Sequence, residues 1–196
     1  MKPELLLKTA KKRGLNGIAV TDHHTIKGAL KAYKINKDKD FEVIIGEEIT
    51  TDLGDVLIYY AKEEIKKKEF FFVVDEAKRQ GALIVLPHPF RTSIYPNHHF
   101  KYPIKNVKNK IDAIEVFNAR NLPGNNEKAQ KAAEKLGLAG TAGSDAHFAF
   151  EIATAYTIFD GNLSEAIKKN ETRFEGTILF GPFGGLLSIL RKRFLQ

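Results

Sequence analysis

The sequence predicts an α/β protein whose parallel strands close into a barrel, and three observations predict it. A helix, a glycine, an apolar strand and a polar tip follow one another three times, with the glycines at Gly14, Gly81 and Gly137. Such alternation argues for α/β units whose right-handed crossovers bring the strand tips to one end. The strands themselves are short continuous apolar runs, as strands buried on both faces are, and each ends in acids or imidazoles. Residues 17–20 run into Thr21-Asp22-His23-His24, residues 82–86 into Pro87-His88-Pro89, and residues 138–142 into Gly143-Ser144-Asp145-Ala146-His147. The third observation is negative: there is no Gly-x-Gly-x-x-Gly turn and no P-loop, so nothing signals the nucleotide crevice of an open sheet.

In order along the chain, residues 1–13 read as a helix, with Pro3 in the first turn, Leu5, Leu6 and Ala10 on one face and Gly14 at a left-handed cap. A strand over 17–21 and a helix over about 26–36 follow. Residues 43–46 form a strand opening onto Glu47, Glu48 and Ile49, and 50–55, containing Leu53-Gly54-Asp55, read as a turn into a second β run over 56–60. A lysine-rich helix is expected over about 62–80, stopped by Gly81. Residues 91–109, with Pro96, His98, His99 and Pro103, show little periodicity and read as an excursion loop of the kind that often covers sites. Residues 111–118 are the next strand and 120–124 a turn. Residues 125–136 are a helix with Ala129, Ala132, Ala133 and Leu136 at helical spacing and Gly137 as its stop. A strand over 155–159, a short helix over 163–169 and a tail over about 171–196 complete the chain. The tail's apolar 180–187 segment and Arg191, Lys192 and Arg193 are expected to cover the barrel's bottom.

With 196 residues, 43% of them hydrophobic, one core and a single domain over 1–196 are expected. There is no cysteine, so disulfides and thiolate metal sites are excluded and any metal must be held by His, Asp and Glu. The formal net charge of +7 is carried largely by lysines on presumed helix faces, which reads as a solvated surface; no basic cluster interleaved with aromatics stands out as a nucleic-acid platform. No signal-type leader or membrane-length apolar run is seen, and the cytoplasm is the expected compartment.

The candidates for chemistry are Asp22, His23, Glu48, His88, Asp145 and His147, with Glu115 as a possible addition. Imidazoles and carboxylates converging from strand ends are the ligand chemistry of Zn²⁺, Mn²⁺ or Fe²⁺, with Mg²⁺ also possible, and bridging carboxylates allow two or three ions. Such a cluster activates water and neutralises phosphoryl charge. Each residue also has a plain structural reading: His88-Pro89 as a turn, Asp145 as a helix cap, His98 and His99 as solvent-facing. Adjacent strand residues point to opposite faces, so only one of His23 and His24 is expected in the site. Ser93 and Ser144 lie in no Gly-x-Ser-x-Gly elbow, which argues against a serine nucleophile.

Thr21-Asp22-His23, Gly46-Glu47-Glu48, Leu86-Pro87-His88-Pro89 and Gly143-Ser144-Asp145-Ala146-His147 resemble, in order and spacing to about residue 160, the second and later motifs of the PHP family, named for its polymerase and histidinol phosphatase members. The resemblance implies a distorted seven-stranded (β/α) TIM-like barrel with two or three divalent ions and phosphoesterase activity. It implies metal ligation by His23, Glu48, His88, Asp145 and His147, with Glu48 bridging ions and Asp22 orienting an imidazole. Arg91 and Arg120, just beyond two strand tips, are the expected phosphate contacts. The implied substrate is a small phosphomonoester, a nucleotide or an oligonucleotide end. The alternative is a non-catalytic RNA-binding subunit resembling the ribonuclease P protein of PHP-like fold. The family's first motif, His-x-His on a strand, would precede the 1–13 helix. The natural protein is therefore expected to begin upstream with the barrel's first strand, the alternative being a barrel that lacks this strand, and the site of this chain alone is expected to be incomplete.

Overall fold

The computed structural model describes residues 1–92 and 99–178. Ser93, His98 and the tail segments 180–187 and 191–193 lie outside the described residues. Five helices, α1 (Pro3–Lys12), α2 (Lys27–Ile35), α3 (Phe70–Gln80), α4 (Asn125–Leu136) and α5 (Leu163–Lys169), alternate with strands β1 (Gly17–His23), β2 (Glu42–Thr51), β3 (Gly54–Tyr59), β4 (Leu83–Leu86), β5 (Ala113–Asn118), β6 (Ala139–Gly143), β7 (Ala155–Ile158) and β8 (Arg173–Gly176). The fold is mixed α/β, and its main sheet is a curled half-barrel of six strands in the order β1-β2-β3-β4-β5-β6.

The sheet is parallel except at β3, which runs antiparallel to both β2 and β4. The hairpin read from Leu53-Gly54-Asp55 makes the first of these two reversals. Because β3 reverses twice, β1, β2, β4, β5 and β6 all point the same way, and their C-terminal ends share one rim. Among the described residues β1 and β6 do not pair, so the sheet stays open where a closed barrel was expected. The β7-β8 pair stands against β6 instead: the Thr157 hydroxyl accepts from Ala142 N at 2.8 Å and donates to Ala142 O at 3.0 Å. β8 occupies residues expected to belong to the tail.

Side chains alternate across the strands as the pleat requires. One face presents Ile49, Val56, Ile58, Ile84, Leu86 and Ile114 to Phe70, Val73, Val74 and Ala77 of α3 and to α4. The concave face carries Ile44, Leu57, Leu83, Val85, Ala113 and Ala139 as a floor. Above that floor opens a cavity of about 1350 Å³, lined towards the rim by His23, Glu48, His88, Glu115, Asp145 and His147.

The expected helix over 62–80 begins only at Phe70. Residues 61–69 give their hydrogen bonds to the sheet and to α3: Ala61 N donates to Ile45 O, Ile65 N to Glu47 Oε1, and Lys62 N and Glu63 N to Gln80 Oε1. Asp52, in the β2–β3 turn, accepts from Phe70 N at 2.7 Å and so caps α3 from outside it. These tertiary partners outweigh the helix propensity of the lysines. α3 and α4 do stop at Gly81 (φ 73°) and Gly137 (φ 65°), in the left-handed region where glycine carries no Cβ penalty.

Candidate metal centre

Glu48 is the residue around which the rim is built. It lies opposite His23 in the β1–β2 register and opposite Leu57 on β3, buried among its neighbours. One oxygen, Oε1, lies 3.2 Å from His88 Nε2, and the other, Oε2, lies 3.8 Å from His23 Nδ1. A single carboxylate therefore spans the tips of β1 and β4. Asp55, first in the alternating inward series Asp55, Leu57, Tyr59 of β3, brings a second carboxylate: one ligand atom each from Glu48, Asp55 and His88 lie within 4.8 Å of one another. The Leu53-Gly54-Asp55 signature reads as turn, and β3 begins at Gly54 rather than after it. The period-two pattern continued one step of two residues backwards from Leu57 places Asp55 inward.

On the opposite wall, Asp145 Oδ1 lies 3.6 Å from His147 Nδ1, whose ring centroid is 6.4 Å from that of His23. The tip that carries them is not extended: Asp145 has φ 49°. His88 (φ 32°) and His24 (φ 58°) are also left-handed, so three strand tips hold non-glycine residues in a region costing about 1 kcal/mol or more each. Backbone strain gathered at such tips is typical of sites. His24 lies just past the end of β1, where alternation no longer governs it, and its ring centroid is 6.2 Å from that of His23.

Arg91 and Arg120 are placed among these groups. Arg91 Nη2 donates to Asp145 Oδ2 at 2.5 Å and to Asn118 Oδ1 at 2.7 Å, and Nε donates to Asn121 Oδ1 at 3.3 Å. Arg120 Nη1 contacts His147 Nδ1, and its Nε lies 3.4 Å from Glu151 Oε1. Both guanidiniums, read from the sequence as phosphate contacts, are thus turned onto the side chains of the site. Asp22 lies on the other side of β1, against the start of α2: a Cβ on Gly28 would stand 1.9 Å from Asp22 Oδ2. Glu115 accepts from His88 N at 2.8 Å and from Asn118 Nδ2 at 2.9 Å. Glu151, absent from the sequence reading, accepts from His147 N at 2.7 Å and Phe148 N at 2.9 Å.

Four acids, Glu48, Asp55, Glu115 and Asp145, converge, with Arg91 paired to Asp145 alone among them. Burial pushes Glu115 up to about 7, against the opposing pull of His88 and Asn118. Burial would raise Asp145 as well, but Arg91, His88, His147 and Arg120 outweigh it and hold the carboxyl below the usual range. For His88, burial and Arg91 lower the pKa, yet the Glu48 hydrogen bond and the charges of Glu48 and Glu115 leave it raised. Buried acids of one sign with neutral-capable imidazoles between them fit divalent cations with nitrogen and oxygen preference.

A family model described as PHP-associated matches residues 123–172, the stretch from the turn before α4 to the residue before β8. An uncharacterized protein of Methanocaldococcus jannaschii, MJ1587, is 34% identical over 140 residues, covering 68% of this chain and 77% of its own. A second uncharacterized protein of that organism, MJ0417, is 37% identical over 128 residues, and this chain spans about half of its length, 51%. Among solved structures, a two-domain protein from Bacteroides vulgatus containing a predicted PHP-like metal-dependent phosphoesterase superposes with a TM-score of 0.75 at 19% identity, over 90% of this chain and 60% of that one. At that identity the likeness is one of fold.

Proposed function

The chain belongs to the PHP-domain family, and on that premise we propose that it is a metal-dependent phosphoesterase hydrolysing a phosphate ester. The observation that carries this reading is the placement of Glu48 between His23 and His88, with Asp55 beside it and the Asp145–His147 pair across the rim. His23, Glu48, Asp55, His88, Asp145 and His147 would hold two or more divalent ions, which when bound supply Lewis-acid activation of water and neutralise charge on a phosphoryl oxygen.

The chain's own groups do the positioning. Glu115 fixes the backbone of the left-handed His88 turn through His88 N, and Asn118 holds Glu115 in place. Arg91 sets the rotamer of Asp145, and Glu151 anchors the loop that presents His147. The apolar floor, with Ile44 and Leu57 lining the cavity beneath the acids, lowers the local dielectric on that side and strengthens their charge interactions.

Elemental analysis of the protein after loading with Mn²⁺ or Zn²⁺, together with turnover of a generic aryl phosphate, tests the proposal. Retention of at least one ion per chain, lost in Glu48→Gln, with metal-dependent release of phosphate is the expected result. Neither retention nor turnover at any divalent ion overturns it.

A further inference from the structure

Beside the metal rim, residues 61–69 form an irregular segment that reaches the β2–β3 turn at Lys68, and they carry Lys66, Lys67 and Lys68 in succession, all exposed. This segment is not loose: Ile65 N is held by Glu47 Oε1 at 3.0 Å, and Lys68 O accepts from Asp52 N at 3.1 Å. Asp52 lies three residues from Asp55, so the lysines stand over the wall that brings Asp55 to the site. Lys68 is near enough to His24 for its charge to be felt there.

Straight after the lysines, α3 opens with three phenylalanines of different fates. Phe70 is fully buried and packs against Phe100 with ring centroids 5.3 Å apart and planes tilted by 59°, whereas Phe71 and Phe72 remain 49% and 39% exposed. Lys67 Nζ lies 4.3 Å from the centroid of the Phe72 ring. The acids of the segment are largely engaged elsewhere: Glu64 accepts from Thr25 at 2.6 Å, and Glu63 pairs with Arg79. Glu69 alone stands between the two groups. The rim therefore has, on one side, cations and half-exposed aromatic rings together, Phe71 edge-on to Phe70 and Phe72 beneath Lys67, which the sequence reading does not pick out.

We propose that Lys66, Lys67, Lys68, Phe71 and Phe72 form a subsite for single-stranded nucleic acid leading to the metal centre, the lysines following the phosphates and the rings taking bases. Single strands are bound in this manner without base reading, by a cationic track and stacking surfaces. The subsite rests on the phosphoesterase reading for its direction, and it deepens that reading from phosphate esters at large to the end of an oligonucleotide. A membrane surface would also take lysines and phenylalanines. Two exposed rings beside an acidic rim present too narrow an apolar face for that, and the strip leads to a site for phosphate esters.

The test is anisotropy of a fluorescein-labelled oligothymidylate of about 12 nucleotides, titrated with the whole chain in the presence of a chelator. Binding is then read without metal or turnover, and failure of the phosphoesterase reading does not disturb it. Lys66→Ala/Lys67→Ala/Lys68→Ala is expected to weaken binding about tenfold or more and to reduce the log–log salt slope by about 2. Phe71→Ala/Phe72→Ala is expected to weaken it about tenfold with the slope unchanged. Circular dichroism of each variant checks folding. As a control, Lys128→Ala/Lys131→Ala/Lys135→Ala on α4 should leave binding within about twofold. An equal loss in that control, retention of full affinity in the strip variants, or binding of anionic vesicles but not of the oligonucleotide overturns the proposal.

Discussion

Arg91 holds Asp145 directly, Nη2 to Oδ2 at 2.5 Å, and the pair is largely buried at the junction of the β4 and β6 tips. The guanidinium occupies one oxygen of an acid whose other oxygen faces His147. A buried carboxylate stripped of its cation is costly, of the order of 3–5 kcal/mol. Arg91→Ala is therefore expected to lower the stability of the metal-free protein by that order, read from denaturant melts. Saturating Mn²⁺ at about a hundred times its dissociation constant should restore about 2.7 kcal/mol through linkage. Arg91→Lys should not substitute, because one ammonium cannot reach Asp145, Asn118 and Asn121 together. Equal stability of Arg91→Ala and the parent would sink this account.

Asp55 and Asp22 separate ligation from support. Asp55→Asn removes a charge from the Glu48–Asp55–His88 cluster and is expected to weaken Mn²⁺ binding by about a hundredfold or more in titration calorimetry. Asp22 faces the first turn of α2, so Asp22→Asn should change the affinity by less than about tenfold. Gly28→Ala should be close to neutral in stability, because the atom its methyl would meet is the tip of the exposed Asp22 carboxylate, which can swing aside, and alanine favours the helix by about 1 kcal/mol. The reverse order of the two aspartates in calorimetry would place the site on the other side of β1.

Glu115 gives a pH signature in the metal-free protein. Its carboxyl is raised from 4.5 to about 7, so the folded state keeps a proton that the unfolded chain releases. Stability therefore falls as pH rises from about 4.5 to about 7, by about 3 kcal/mol in all, and levels off above. Glu115→Gln, neutral throughout, should lack this slope between pH 5 and 7 and should be the more stable form at pH 8. Parallel pH curves for the two proteins would show that Glu115 is ionised when folded.

Much of this arrangement is legible in the sequence, for definite reasons. The apolar runs at 17–20, 82–86 and 138–142 announce their strands because both faces are buried, and the residues at their ends must then meet at one rim. The local signals mislead where tertiary partners decide. Asp52 and Gln80 draw the 61–69 segment out of the helix its lysines favour. Gly54, in a glycine-only conformation at φ 128° against the His99–Phe100 backbone, allows β3 to start a residue before Asp55, so a turn signature conceals an inward-facing acid. Alternation excludes His24 only if the strand continues through it, and the chain instead turns left-handed there.

Glu151 shows how far the support of the rim extends. Its side chain is 2% exposed, lies in the short 3₁₀ turn Ala149–Glu151, and accepts from both His147 N and Phe148 N while facing Arg120. Glu151→Ala leaves two backbone donors without that acceptor, at about 1–3 kcal/mol each. Because the donors belong to the loop that carries His147, metal affinity should fall with stability, by about 10- to 100-fold. Glu151→Gln keeps an oxygen acceptor for the two amides but loses the charge that faces Arg120. It should recover most of the melting temperature while metal affinity, read by calorimetry, stays between that of the parent and that of the alanine variant. Loss of stability in Glu151→Ala with unchanged metal affinity would separate this turn from the site and leave His147 positioned by Arg120 and Asp145 alone.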